Sequence, residues 1–171
     1  MSRKSASSST MVERASALIV TLGLISHPEG GYYGEVYRSP SLVHPDDGRG
    51  ARAALTSIYF LLPAGAISRW HRVRSDEIWH FYEGAALDLW TAPSDVRTVT
   101  RQRLGPLEDM QRPVFSVPAS SWQAARSTGS YTLVGCTVGP GFDFLDFSLA
   151  TNEPGIAAAL ANVHSEYAEL L

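Results

Sequence analysis

Short segments of alternating apolar and polar residues fill the middle of the chain. They recur roughly every ten residues between positions 53 and 147, and Gly and Pro separate them. No helical segment long enough for a parallel crossover lies between them, so the pattern favours an antiparallel β-sandwich or barrel. The predicted strands are residues 32–38, 54–62, 67–73, 77–83, 86–91, 96–104, 114–118, 122–126, 131–138 and 143–148.

Helical spacing is confined to the two ends of the chain. Residues 11–24 carry apolar side chains at steps of three and four, and a similar stripe follows residue 152. The second stripe consists of Ile156, Leu160, Val163, Tyr167 and Leu170. We predict an N-terminal and a C-terminal helix outside the barrel, a disordered serine-rich tail over residues 1–10, and one domain over residues 11–171.

Composition and charge narrow the possible functions. The chain has 171 residues, 44% of them hydrophobic, and a formal net charge of −3, which predicts one ordinary globular domain and no nucleic-acid partner. Its one cysteine, Cys136, cannot form an internal disulfide. The sequence lacks a signal-peptide pattern and any apolar stretch of about 20 residues, so we expect a cytoplasmic protein that does not enter membranes.

The residues that suggest chemistry lie around the predicted strands 67–73 and 77–83. His71 and Val73 share one face of the first strand, and Glu77 begins the second. If the two strands form a hairpin, His71 and Glu77 lie side by side on its concave face. A buried imidazole or carboxyl group is costly alone, so these two are expected to pair, to bind a metal or to meet a ligand.

The spacing of this segment resembles the first motif of the cupin superfamily. The matching positions are Gly65, His71, Glu77 and Gly84. Val73 stands where metal-binding cupins usually carry a second histidine. In the second motif, residues 118–123, Ser120 replaces a glycine and Gln123 replaces a histidine. Two of the four usual metal-ligand positions are therefore substituted.

Further segments narrow the resemblance to the fifth cupin family, long described as of unknown function. They are residues 22–24, 27–33, 37–39, 68–71, 76–80 and 141–147. The similarity runs from about Leu18 to Phe147. It implies an all-β jelly-roll barrel, or double-stranded β-helix, related to the dTDP-sugar 3,5-epimerases, and it implies a homodimer.

The predicted site has catalytic and substrate-binding residues. His71 and Glu77 are the catalytic candidates, and Gln123 is expected to hydrogen-bond a substrate, since an amide is a poorer metal ligand than an imidazole. Trp79 shares the parity of Glu77 and is expected to stack on the ligand. A polar and aromatic cluster near the first strand adds Glu29, Tyr32, Glu35 and Arg38 as a wall or lid of the pocket. Structural or surface roles are predicted for His27, His44 and His164, and His80 has the outward parity.

Three functions remain open from the sequence. The first is an isomerase or epimerase in which His71 is the general base and Glu77 tunes its pKa; the related epimerases use a histidine at the matching position. The second is a metal-dependent enzyme with His71, Glu77 and Gln123 as a reduced ligand set. The third is a non-catalytic module that binds a small ligand. No tightly bound cofactor is expected, and any divalent metal would be weakly held.

Overall fold

The computed structural model describes residues 3–108, 110–162 and 164–171. Helix α1 spans Arg3–Thr21 and so begins inside the segment predicted as a disordered tail. No proline or glycine, the two residues that most disfavour a helix, occurs in this stretch of sequence. The chain then enters the β-structure, and helix α2, Pro154–Asn162, follows the last strand.

The strands follow the predicted spacing. Their bounds are β1 Ile25–Ser26, β2 Tyr32–Arg38, β3 Leu42–Val43, β4 Arg52–Ala53, β5 Thr56–Pro63, β6 Ile67–Val73, β7 Asp76–Gly84, β8 Leu87–Ala92, β9 Thr100–Leu104, β10 Val114–Val117, β11 Trp122–Ser127, β12 Tyr131–Gly139 and β13 Phe147–Leu149. The strand predicted at 143–148 is shorter, because Phe144–Asp146 form a 3₁₀ turn. The Asp143 side chain caps this turn by accepting the Leu145 N–H at 2.9 Å.

Two antiparallel sheets face each other across the core, which is the predicted jelly-roll arrangement of a cupin. One has the strand order β1-β2-β5-β12-β7-β10 and the other β13-β6-β11-β8-β9. Strands β6 and β7 therefore belong to opposite sheets, and the predicted hairpin between them is wrong. The short connection after Val73 crosses from one sheet to the other. His71 and Glu77 consequently face each other across the interior instead of lying side by side.

Apolar elements cover the outer faces of both sheets. Helix α1 packs Ala15 and Leu18 against Leu61 and Leu133 of the six-stranded sheet. On the other sheet, the C-terminal segment covers a cluster of three tryptophans, Trp70, Trp90 and Trp122. None of the helices in the described part of the chain is both long and apolar enough to span a bilayer.

The predicted C-terminal helix is divided into α2 and a 3₁₀ segment, Ser165–Leu170, and Val163 lies outside the described residues. Leu160 and Leu170 are nevertheless buried in the tryptophan cluster, as the apolar stripe predicted.

Replacing Leu160 by Ala is expected to lower the free energy of unfolding by about 2–3 kcal/mol, because a fully buried leucine leaves a cavity when it is truncated. Urea unfolding measures the change. The matched control is Leu145→Ala, since Leu145 is 84% exposed, and this variant should stay within about 0.5 kcal/mol of the parent. Equal effects of the two substitutions would mean that the C-terminal segment does not pack on the sheet.

Candidate functional site

A cavity of about 350 Å³ lies between the two sheets, and one end of it opens to solvent. Its inner wall carries two imidazoles and two carboxyl groups, those of His27, Glu29, His71 and Glu77. All four side chains are buried or nearly so. Such a concentration of titratable groups in an otherwise apolar enclosure is typical of functional sites.

His71 projects from β6 into this cavity with a defined arrangement of its two ring nitrogens. Nδ1 lies 2.7 Å from the backbone carbonyl oxygen of Arg69. A carbonyl can only accept, so Nδ1 carries the hydrogen and Nε2 of the neutral ring has a free lone pair. Burial lowers the pKa of His71, although the charge of Glu77 acts in the opposite direction. The ring is therefore a neutral base at physiological pH.

The carboxyl group in contact with His71 belongs to Glu29 and not, as predicted, to Glu77. Glu29 Oε2 lies 3.2 Å from His71 Nε2, and Oε1 accepts a hydrogen bond from the Ser68 hydroxyl at 2.8 Å. Burial raises the pKa of Glu29 to about 7, while His27 and Ser68 lower it. A protonated Glu29 can thus donate to the bare Nε2 of His71.

A tight turn brings Glu29 to this position. Gly30 has a φ of +113°, and a Cβ atom there would stand 2.0 Å from the carbonyl oxygen of Ile67. Only glycine allows the turn to approach strand β6 so closely. The Arg69 N–H also donates to the Glu29 carbonyl oxygen at 2.9 Å, which fixes the turn against the strand that carries His71.

Glu77 faces His71 from the opposite sheet and is held by Gln123. The Gln123 amide donates to Glu77 Oε2 at 2.6 Å, and its own oxygen accepts the Trp79 indole N–H at 3.0 Å. Burial raises the pKa of Glu77, with the His71 imidazole as the main opposing influence. Cys136 lies beside Glu77, and burial raises the pKa of its thiol well above the usual range.

His27 is the site residue that the sequence analysis missed. Its Nδ1 accepts the Glu29 backbone N–H at 3.2 Å and lies 3.4 Å from Glu29 Oε2. Burial lowers the pKa of His27. Aromatic rings surround it, with Tyr33 edge-on at 4.7 Å and Phe144 stacked at 5.8 Å between ring centroids. Its place in the turn that carries Glu29 was the available signal.

The structure sorts the remaining predicted substrate-binding residues into two groups. Arg38 lines the outer part of the cavity, as predicted. Trp79 and Gln123 lie behind the wall and hold Glu77, so neither is among the lining residues. Tyr32 packs into the cluster beneath α1, and its neighbour Tyr33 lines the cavity.

The mouth of the cavity has an ion pair and an aromatic edge. Arg38 binds both carboxylate oxygens of Glu35, at 3.1 and 2.7 Å, and donates to the Phe142 carbonyl oxygen at 3.2 Å. Asp143 adds a second carboxylate to the mouth, and Phe144 adds a half-exposed ring. The loop after β12 is thereby tied to β2 across the opening.

Of the predicted metal ligands, His71 and Glu77 line the cavity, whereas Gln123 lies behind its wall. The Gln123 oxygen already accepts the Trp79 N–H, and Val73, which lines the cavity, has no ligand atom. Within the described ranges, no three His, Cys, Asp or Glu side chains are arranged to hold a metal. The residues present do not fit the metal centre of metal-binding cupins, and weak metal binding stays a prediction.

Comparison with known proteins agrees with the fold and the motif positions. The family model Cupin_5, described as cupin superfamily (DUF985), matches residues 16–150. No curated protein matches the chain. The solved structure of a hypothetical protein from Leishmania major is 31% identical, with a TM-score of 0.79 over 91% of this chain and 95% of that one.

Other solved structures extend the comparison. A Shewanella oneidensis protein is 34% identical, with a TM-score of 0.78 over 92% of this chain and 96% of that one. Oxalate decarboxylase from Bacillus subtilis shares the fold, with 15% identity and a TM-score of 0.56 over 85% of this chain and 36% of that one. The strand order, the motif around His71 and these matches agree: the chain belongs to the Cupin_5 family of the cupin superfamily.

Proposed function

We propose that this cupin is an isomerase or epimerase that moves a proton at a carbon next to a carbonyl group. The observation that carries the proposal is the contact of His71 Nε2 with Glu29 Oε2 at 3.2 Å inside the cavity. A neutral base and a carboxyl group whose pKa is raised to about 7 stand together there. Acid–base catalysis is most effective when both groups titrate near the working pH.

His71 Nε2 takes the proton from the carbon atom, and the Arg69 carbonyl oxygen behind it stabilises the resulting imidazolium through Nδ1–H. The protonated Glu29 gives its proton to the carbonyl oxygen, which yields a neutral enediol or enol. His71 then returns its proton to the neighbouring carbon, which completes an isomerisation, or to the original carbon after the intermediate has turned its other face to His71, which completes an epimerisation. Glu29 takes up the hydroxyl proton as the carbonyl group re-forms, so both groups regain their starting states with no co-reactant.

In this scheme Glu77 tunes the pKa of His71, the role that the sequence predicts, but it does so without a direct contact. Its charge raises the pKa of the imidazole from across the cavity. The hydrogen bond from Gln123 supports the ionised form of Glu77 and fixes its orientation. A charged Glu77 therefore favours the imidazolium that forms after proton abstraction.

Incubation in D₂O with a panel of small hydroxyaldehydes and hydroxyketones tests the proposal. We expect protein-dependent deuterium incorporation at the carbon next to the carbonyl group of at least one compound, observed by ¹H NMR. Exchange is the partial reaction of any enolising enzyme, so it does not require the physiological substrate. Binding without exchange above the buffer rate across the panel would contradict the proposal and favour a non-catalytic binding module.

The predicted homodimer and cytoplasmic location stay predictions. Exposed apolar side chains on strands β2, β7 and β10, among them Val36, Tyr82 and Val114, are compatible with a second copy packing on the six-stranded sheet.

A further inference from the structure

We propose that the cavity takes an uncharged polyhydroxy compound and excludes anions such as sugar acids and phosphates. The inference rests on the proposed function in that it names the substrate class of the same cavity. Four observations carry it: the charge balance of the inner wall, the occupied guanidinium at the mouth, the direction of the neighbouring arginines and the aromatic wall.

The inner wall offers no positive charge to an anion. It has two imidazoles, His27 and His71, and two carboxyl groups, Glu29 and Glu77. In the resting state of the proposed scheme both rings are neutral, Glu29 is protonated and Glu77 is ionised, so the set carries one negative charge. An anion would enter a low-dielectric enclosure without a counter-ion, whereas an uncharged ligand meets donors and acceptors of both kinds.

Arg38 is the one lysine or arginine among the described residues of the cavity lining, and its guanidinium is already occupied. Glu35 takes Nε and Nη2 in a bidentate pair, and the Phe142 carbonyl oxygen takes Nη1. Asp143 contributes a further negative charge to the same rim. The mouth therefore has a net negative formal charge, which repels an approaching anion.

Nearby arginines are directed away from the cavity. Arg69 donates to the backbone carbonyl oxygens of Pro28 and Glu29. Arg49 and Arg52 both bind the buried carboxylate of Asp146. None of these three lines the cavity, so the described part of the chain offers no free guanidinium there to bind a carboxylate or phosphate group of a ligand.

Much of the remaining lining is apolar and aromatic. It includes Ile58, Phe60 and Phe142 together with Phe144 and Tyr33. A polyhydroxy chain or ring has C–H faces that pack on such a wall and hydroxyl groups that reach the acid–imidazole set. The combination of one apolar wall and a few convergent polar groups is typical of sites for small uncharged ligands.

Two probes with the same six-carbon chain test the inference: D-glucitol and D-gluconate, which are neutral and anionic at pH 7. Neither has an aldehyde or ketone group, so binding is measured without chemistry. Chemical-shift titration of the isotope-labelled full chain should show glucitol at the cavity signals. We expect gluconate to bind at least about tenfold more weakly, since it brings a further, unpaired negative charge into the enclosure.

A variant at the mouth supplies the sharper test. Glu35→Gln leaves the Arg38 charge unneutralised, so the affinity for gluconate relative to glucitol should rise by about tenfold. The matched control is Glu169→Gln, which frees Arg126 from an exposed pair at 2.7 Å outside the cavity lining and should leave that ratio unchanged.

Gluconate binding to the parent protein as tightly as glucitol would overturn the inference, and so would failure of glucitol to bind. If Glu35→Gln left the affinity for gluconate relative to glucitol unchanged, the charges at the mouth would not be what selects against anions. Glucitol binding in a protein that exchanges no substrate hydrogen would remove the proposed isomerase function but leave the ligand class standing.

Discussion

Replacement of His71 by Gln is expected to lower the hydrogen-exchange rate by about 10²–10⁴-fold, the usual contribution of a positioned general base. Glutamine is similar in reach and can still donate to the Arg69 carbonyl oxygen, but it cannot take up a proton. Exchange measured by ¹H NMR in D₂O over a range of substrate concentrations gives the loss, which we expect to appear in kcat.

The matched control for this substitution is His80→Gln. His80 lies on β7 with the outward parity and does not line the cavity, so its replacement should leave the exchange rate unchanged. Thermal melts of both variants should stay close to that of the parent protein, because His71 contributes to function more than to the core. A His71→Gln protein that retains exchange within a few-fold of the parent would exclude His71 as the base.

The parent protein is expected to lose stability as pH rises because Glu29 is buried, and replacement of Glu29 by Gln is expected to remove this loss. Its pKa is about 7 in the folded protein and near 4.5 in the unfolded chain. Between these values the unfolded chain releases the proton while the native state keeps it, so stability falls as pH rises. The separation corresponds to about 3 kcal/mol, fully developed above pH 7 and absent below pH 4.5.

Urea unfolding of the parent protein and Glu29→Gln at pH 4.5 and pH 8 measures this difference. Between pH 4.5 and pH 8, the free energy of unfolding of the variant should rise by about 3 kcal/mol relative to that of the parent protein. Titration of His27 and His71 is present in both proteins and is largely removed by the comparison. Glu166→Gln, the loss of an exposed carboxyl group, should show no such gain. Parallel curves for Glu29→Gln and the parent would mean that Glu29 is ionised in the native state.

Local patterns predict much of this fold. Alternation gave correct bounds for β2 and β6, and the apolar stripe after residue 152 placed Leu160 and Leu170 on the sheet. These features depend only on which face of a strand or helix packs on the core, and the spacing of apolar side chains indicates that face directly. The motif likewise identified His71 and Glu77 as inward-facing residues of the cavity.

Contacts between distant segments could not be predicted in the same way. Alternation cannot tell whether a short connection returns a strand to the same sheet, so β6 and β7 were predicted as a hairpin. The approach of Gly30 to Ile67 that brings Glu29 to His71 is a tertiary contact. Alternation alone does not show which face of a strand points inward. For this reason the sequence predicts Tyr32 in the cavity in place of Tyr33. It likewise predicts that Trp79 contacts the ligand, whereas Trp79 donates to Gln123.

The proposed chemistry requires that His71 is a neutral base whose Nε2 can accept a proton. The ¹⁵N chemical shifts of its imidazole at pH 7.5, assigned by comparison with His71→Gln, test this directly. We predict a protonated Nδ1, bonded to the Arg69 carbonyl oxygen, and an unprotonated Nε2 facing Glu29. An imidazolium with both nitrogens protonated, or a neutral ring with its hydrogen on Nε2, would contradict the role of His71 as the base.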